Sequence, residues 1–379
     1  MDRLNAHRAI AIAALGVLAS CGSTAAHSGS LPDVRQHLFA VLEWRSPQGN
    51  GPDTIAIVGR DGHTRAEARF VPQTPPKTGC AMPFMPIQAY VTAGKAFYLD
   101  GRGVIRSLTP SGTVSLVGTL PISSSQQEAT FAVSTSGEQI MGTVWTFPDR
   151  PSPYQCQGPE FSGSPIYQQD VYAIVAGQAA QRLQHESWSQ DTSALRQPYP
   201  HTFLEFIGWD SLGPIGVYNA TYQSQGGGGG PWKWLGDPYR VLPSGLRGAS
   251  LDDSSCKATD IETNGFVCIG GPGSAPSMIS VRNPDGSEFW HTQQDTTGYS
   301  VLSPARRSVA LLDVVISRDG RVVALPKSDQ GFGTFTVAGW LDEETLVGWI
   351  GQGEMATLAV TAGAQPRDLG RRGDFVGHL

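Results

Sequence analysis

The stretch Met278–Trp290, MISVRNPDGSEFW, constrains the fold more than any other. Ile279 and Val281 alternate with Ser280 and Arg282, the two-residue period of a strand with one buried face, and Asn283-Pro284-Asp285-Gly286 then supplies a turn before Phe289 and Trp290 resume. Units of this design recur, with a turn glycine at positions 62, 112, 177, 245, 286, 320 and 363. Their separations are 50, 65, 68, 41, 34 and 43 residues, a mean near 50, which suits a four-stranded blade with variable loops. We therefore expect an all-β chain folded as a β-propeller of seven blades, six and eight being the neighbouring counts. A two-sheet sandwich accommodates the strands but not their even spacing.

Composition agrees. The chain holds 46 Gly and 27 Pro, suited to short strands and turns, and at 40% apolar and 16% charged residues it can bury a large core. Its 27 Lys+Arg against 33 Asp+Glu leave a net charge of -6, so neither a nucleic-acid footprint nor a polybasic membrane patch is expected.

Arg3, His7 and Arg8 precede the apolar run Ala9 to Leu18, which is too short for a stable span but right for a secretory signal. The run ends in Leu18-Ala19-Ser20-Cys21-Gly22, which resembles the lipobox of bacterial lipoproteins. The resemblance implies that residues 1–20 are a signal peptide and that Cys21 is the lipidated mature N-terminus, carrying diacylglycerol and palmitate. It also implies a membrane partner held through that lipid, in the cell membrane or outer membrane, with the protein facing the extracytoplasmic side. Gly22 is not the Asp that in this family retains lipoproteins at an inner membrane. Residues 21–30 are small and polar, a flexible linker, and residues 31–379 make the propeller domain.

Within that domain, Phe131-Ala132-Val133-Ser134-Thr135-Ser136-Gly137 before Ile140-Met141 resembles the inner hairpin of TolB-like and WD40-like propeller repeats, as does Val301-Leu302-Ser303-Pro304 before Val309-Ala310-Leu311-Leu312. Gly208-Trp209-Asp210 and Gly339-Trp340-Leu341-Asp342 resemble the Trp-x-Asp strand openings of the same family, although its Asp-Gly turn is absent from the first two copies. The single Asp285-Gly286-Ser287-Glu288-Phe289-Trp290 resembles a quinoprotein repeat tail, and one copy does not support quinone binding. No cofactor is expected. The Pro-rich Val71–Pro86 reads as a surface loop, and Pro148–Gln169 and Ser187–Pro200 as long loops on one rim.

In an exported protein, Cys80, Cys156, Cys256 and Cys268 favour two disulfides among three connectivities. We favour 80 with 156, two Pro-rich loops that need tethering, and 256 with 268, which are close in sequence. If Asn264-Gly265 were a two-residue turn, Cys268 would face Ile261 and leave Cys256 roughly 16 Å away along the strand, so this pairing requires Cys256 to lie in a loop that folds back.

Candidate chemistry is sparse. Trp232, Trp234 and Tyr239 flank a five-glycine run and could form a ligand rim that stacks on sugars or planar groups, or pack beneath the loop or between blades. Asp252, Asp253, Asp260 and Glu262 form an acidic cluster with calcium-type oxygens but no EF-hand spacing, and a solvated turn is the plainer reading. The histidines at 37, 63, 185, 201, 291 and 378 have no zinc-protease spacing and no Gly-x-Ser-x-Gly elbow is present, so we expect no metal site. The expectation is a lipid-anchored propeller serving as a binding or scaffold module for a protein or glycan. The alternative is a propeller enzyme, a lyase or hydrolase acting on envelope or extracellular glycan.

Overall fold

All seven repeat glycines adopt left-handed backbone angles, with φ between 76° and 86°. Each lies in the turn between the third and fourth strands of a four-stranded antiparallel sheet. At Gly286 this conformation follows a type I turn closed by the Gly286 N–H to Asn283 O bond of 2.9 Å, a geometry that glycine adopts without a Cβ clash. The computed structural model describes residues 37–43, 52–74, 88–147, 166–189, 202–220, 237–270, 277–294, 299–326, 335–351 and 353–379. Among them there is no helix, and the strands form seven such sheets.

Blade 1 comprises β1 (Leu38–Glu43), β2 (Asp53–Gly59) and β3 (Thr64–Phe70), completed on its inner side by the C-terminal strand β28 (Asp374–His378). Blade 2 is β4 (Ala89–Thr92), β5 (Lys95–Leu99), β6 (Val104–Leu108) and β7 (Val114–Thr119). Blade 3 is β8 (Gln127–Val133), β9 (Gln139–Thr146), β10 (Ile166–Val175) and β11 (Gln181–Ser189). Blade 4 is β12 (Thr202–Asp210), β13 (Gly213–Ala220), β14 (Tyr239–Val241) and β15 (Arg247–Ser250). Blade 5 is β16 (Lys257–Glu262), β17 (Gly265–Ile269), β18 (Ser277–Arg282) and β19 (Glu288–Gln294). Blade 6 is β20 (Val301–Leu302), β21 (Ser308–Ala310), β22 (Val314–Ser317) and β23 (Val322–Ala324), and blade 7 is β24 (Thr336–Asp342), β25 (Thr345–Ile350), β26 (Glu354–Ala359) and β27 (Arg367–Arg372). The innermost strands β28, β4, β8, β12, β16, β20 and β24 touch in that cyclic order, so the ring is closed. The seven-bladed propeller expected from the glycine spacing is the fold observed. All four hairpins that resemble TolB-like repeats join the first two strands of a blade.

Each blade is too thin to bury its own faces, and the core is accordingly distributed over the seams. Seven apolar clusters each join two neighbouring blades, for example Ala40, Ile55 and Ile57 of blade 1 with Ala89, Ala96 and Tyr98 of blade 2, or Phe39 and Val41 of blade 1 with Leu341 and Met355 of blade 7. The compact unit runs from Gln36 to Leu379.

Antiparallel order makes the two ends of the disc different. Turns between first and second strands, and between third and fourth, lie at one end, which we call the short-turn end. Connections between second and third strands and between blades lie at the other, the long-loop end, and among them are the connections spanning 148–165, 190–201 and 221–236. Of the segments expected as long loops on one rim, residues 148–165 and 190–200 lie outside the described residues, and Ile166–Gln169 and Ser187–Ser189 belong to β10 and β11. Because β28 pairs with β1, Leu38 and Leu379 meet at the short-turn end, where the Leu379 N–H donates to Leu38 O at 2.8 Å.

Hydrogen bonds between blades knit the short-turn end. Thr92 Oγ1 donates to Ser134 O (3.3 Å), Ser211 N to Thr263 O (3.2 Å), Asn264 Nδ2 to Pro304 O (2.9 Å) and Ser303 Oγ to Glu343 Oε2 (2.9 Å). Arg240 grips Asp210 through two bonds of 2.6 and 2.7 Å and also donates to Pro284 O in blade 5.

Cys256 and Cys268 form a disulfide with Cα atoms 5.1 Å apart. The chain does fold back at Cys256, which bridges Asp253 through backbone bonds of 3.0 and 3.3 Å. The register differs from that of an Asn264-Gly265 turn. Glu262 pairs with Gly265, and a bulge between Ala258 and Asp260 sets Cys268 opposite Ala258 rather than Ile261. Cys80 and Cys156 lie outside the described residues, as do Cys21 and the segments 1–20 and 21–30.

Candidate functional site

The inner strand of every blade has a free edge whose N–H and C=O groups need partners. Side chains from elsewhere in the ring supply several of them, which accounts for the buried Gln73, Thr130, Gln169 and Asp260. Gln73 clasps the edge of β8, donating to Ala129 O (2.8 Å) and accepting from Ala129 N (2.6 Å). The edge of β12 is held by Gln169 Oε1 accepting from Leu204 N (2.6 Å), Trp145 Nε1 donating to Leu204 O (3.0 Å), and Thr130 Oγ1 donating to Phe206 O (3.3 Å). The Tyr90 hydroxyl of blade 2 reaches past blade 3 to accept the Trp209 N–H of blade 4 (2.8 Å), and its burial raises the phenol pKa. Asp260 Oδ2 accepts from Leu302 N (2.6 Å), and Trp340 Nε1 donates to Val301 O (3.0 Å).

Glu128 has no part in this scheme. It is the second residue of β8, is 1% exposed and its Oε2 has no hydrogen-bond partner. Desolvation pushes its pKa up to about 8, so at neutral pH the carboxyl is largely a protonated, neutral acid. Register places Glu128 opposite Trp145, Trp145 opposite Gln169, and Gln169 opposite Glu186, a row across the face of blade 3. Gln169 Nε2 donates to Glu186 Oε2 (3.3 Å) and Gln184 Nε2 to Glu186 Oε1 (2.5 Å). A second fully buried acid, Glu205, lies on the adjacent inner strand β12.

Trp145 also belongs to an aromatic cluster that extends toward the long-loop end, with Phe147, Tyr167 and Phe203, and with Trp188 half-buried at its margin. Tyr167 and Trp188 stack at 6.2 Å with 15° between their planes. Strands β9 to β13 hold 8, 10, 9, 9 and 8 residues, and no other described strand exceeds 7. Turns pin their short-turn ends, so the extra length projects at the long-loop end as a raised wall. Ile166 stands exposed there. Such a wall can stack on a sugar face or planar group through Trp188 and accept hydrogen bonds at Glu186.

The residues named from sequence fall elsewhere. Trp232 and Trp234 lie outside the described residues, in the connection that leaves the long-loop end of β13. Tyr239 is not the expected rim residue and follows the other reading, packing between blades: it is fully buried in the seam between blades 3 and 4, beneath the Arg247 guanidinium 4.9 Å from its ring centroid, because its position in β14 faces blade 3. The acidic cluster is dispersed. Asp252 accepts from Ala258 N, Asp253 pairs with Arg282 (2.7 Å), which helps to lower its pKa to about 2, and Asp260 clasps β20. Among the described residues no group of three His, Cys, Asp or Glu is arranged to hold a metal. His37, His185 and His291 each lie beside a carboxylate, Asp342, Asp170 and Glu288 respectively. Glu128 and Glu205 were missed, although each was visible as a lone acid inside an apolar run, EATFAV and FLEFIGW.

No protein-family model matches the chain, and no curated protein matches it. Among solved structures it is similar to an oligogalacturonate lyase in complex with manganese, at 9% identity and a TM-score of 0.47, covering 86% of this chain and 91% of that one. It is similar to TolB from Acinetobacter baumannii at 12% identity and a TM-score of 0.38, covering 89% of this chain but only 64% of that one. It is also similar to apo AztD from Citrobacter koseri at 10% identity and a TM-score of 0.39, covering 89% and 83%. At these scores the neighbours say nothing about activity or partner, and the architecture rests on the strand pairing of this chain itself.

Proposed function

We propose that this chain is an extracytoplasmic propeller, lipid-anchored at Cys21 in the cell membrane or outer membrane, that works as a binding module at the long-loop end of blades 3 and 4. One observation carries the reading: the longest strands and the aromatic cluster lie at that end, from which three long connections leave. Trp188 and Glu186 supply a stacking surface and hydrogen-bond acceptors suited to a glycan or a polar protein segment. The test is binding of the full-length protein to envelope saccharides and envelope proteins, comparing wild type with Trp188→Ser. At least tenfold weaker binding by a variant with unchanged thermal stability supports the reading, and equal binding contradicts it.

The enzyme reading keeps one specific support, the neutral acid Glu128 and a second buried acid, Glu205, on the adjacent inner strand. Cleavage of an oligosaccharide that is lost in Glu128→Gln would replace the binding reading with a lyase or hydrolase.

A further inference from the structure

Exposed apolar side chains gather at the short-turn end over three consecutive blades. Val114 of blade 2 is 45% exposed and Val175 of blade 3 is 47% exposed, and in blade 4 Leu212, Leu242 and Leu246 are 57%, 43% and 51% exposed. Scattered exposed leucines need no explanation, but three on two turns of one blade, continued onto its neighbours, form a surface left exposed among the described residues. The two turns of blade 4 are held rigidly. The Leu212 N–H donates to Asp210 Oδ1 (2.8 Å), Asp210 is gripped by Arg240, and Leu242 N donates to Leu246 O (2.8 Å) around the buried Gly245. The leucines are therefore presented by fixed turns rather than by a loop free to fold them away.

We infer that this apolar arc rests on the surface of the bilayer that holds the protein, with the leucines of blade 4 entering the boundary between headgroups and acyl chains. Two observations select a bilayer as the occupant. First, Leu38 enters the propeller at this end, so the segment from Cys21 attaches to the same face of the disc. Second, exposed Arg307, Arg318 and Arg321 of blade 6 and Lys95 of blade 2 share this end and can meet lipid phosphates, in a chain whose net charge is otherwise negative. Glu138, Asp285, Asp319 and Glu344 also lie at this end, so apolar insertion rather than charge supplies most of the attachment and salt weakens it little. The inference rests on the proposed anchor for its geometry. It adds that the body lies against the membrane and turns the long-loop end outward.

The test uses full-length lipoprotein in vesicles of phosphatidylcholine and phosphatidylglycerol, with a specific protease site placed in the linker between Gly22 and Ser30. After the linker is cut, the wild-type body should stay with the floated vesicles at a fraction at least fivefold above that of Leu212→Ser/Leu242→Ser/Leu246→Ser, and 0.5 M salt should lower it less than twofold. Equal release of both proteins overturns the inference, as does a body that associates with itself in the absence of vesicles through the same leucines. Failure of the anchor is read separately, as absence from the vesicles before cleavage. The body of an unlipidated chain, cut and mixed with vesicles, still reports on the arc.

Discussion

The ring of Phe375, on the closing strand β28, lies against the bare Cα of Gly339 in blade 7 so closely that a methyl group at position 339 would overlap it. Phe375 also packs on Phe39, with ring centroids 6.1 Å apart, so one aromatic side chain joins the last blade, the closing strand and the first strand of the chain. Gly339→Val should therefore open the closure, with overpacking costing about 1–3 kcal/mol. Urea unfolding would show a lowered midpoint, and amide hydrogen exchange would show β28 losing protection ahead of blades 3 and 4.

Gly286 presents the opposite case. Its φ is +86° and no atom lies within 4 Å of where a Cβ would stand, so Gly286→Ala meets backbone strain alone. A loss of about 1–2 kcal/mol is expected, with no change in hydrogen exchange at the neighbouring seams. Thermal unfolding measures the first outcome and exchange mass spectrometry the second.

Glu128 makes stability depend on pH with a defined sign. Its pKa is about 8 in the folded protein against 4.5 for the ordinary group, so the folded state holds a proton that the unfolded state releases. This contribution is full below pH ~4.5 and falls as pH rises through 8, with a ceiling of about 5 kcal/mol. Asp374, pushed up to about 6 by burial, acts in the same direction over a lower window. Glu128→Gln should raise the melting temperature at pH 9 more than at pH 5. An equal effect at both pH values would mean that the carboxyl is not protonated in the fold.

The disulfide between Cys256 and Cys268 closes a loop of sequence separation 12 at the seam of blades 4 and 5. Its removal in Cys256→Ala/Cys268→Ala should cost about 3 kcal/mol by the chain-entropy relation. Denaturant titration of the variant, with the wild type as its oxidised reference, reads this directly.

These sites show which parts of the molecule sequence could reveal. The glycines at 62 through 363 mark a local event, a turn that needs left-handed backbone, and local events are written in adjacent residues, so blade number and hairpin positions were legible. Closure was not, because Asp374–His378 has no partner nearby in sequence and pairs with Leu38–Glu43 across the length of the chain. The Cys268 register escaped because the turn falls at Thr263-Asn264, which moves the pairing by two residues, and a bulge near Thr259 moves it by one more, which no periodicity signals. Tyr239 looked like a rim residue because it follows a glycine-rich run, but three-dimensional neighbours decide burial. The polar clasps of Gln73, Gln169 and Asp260 serve edges from other blades and so leave no pattern of their own.

The two ends of the disc are proposed to face different partners, and crosslinking measures this most directly. A benzophenone amino acid in place of Leu246, at the short-turn end, or of Ile166, at the long-loop end, would be activated in the full-length lipoprotein in membranes containing radiolabelled phospholipid. The account predicts lipid adducts at position 246 and none at 166. Adducts at 166 alone, or at neither position, would contradict it.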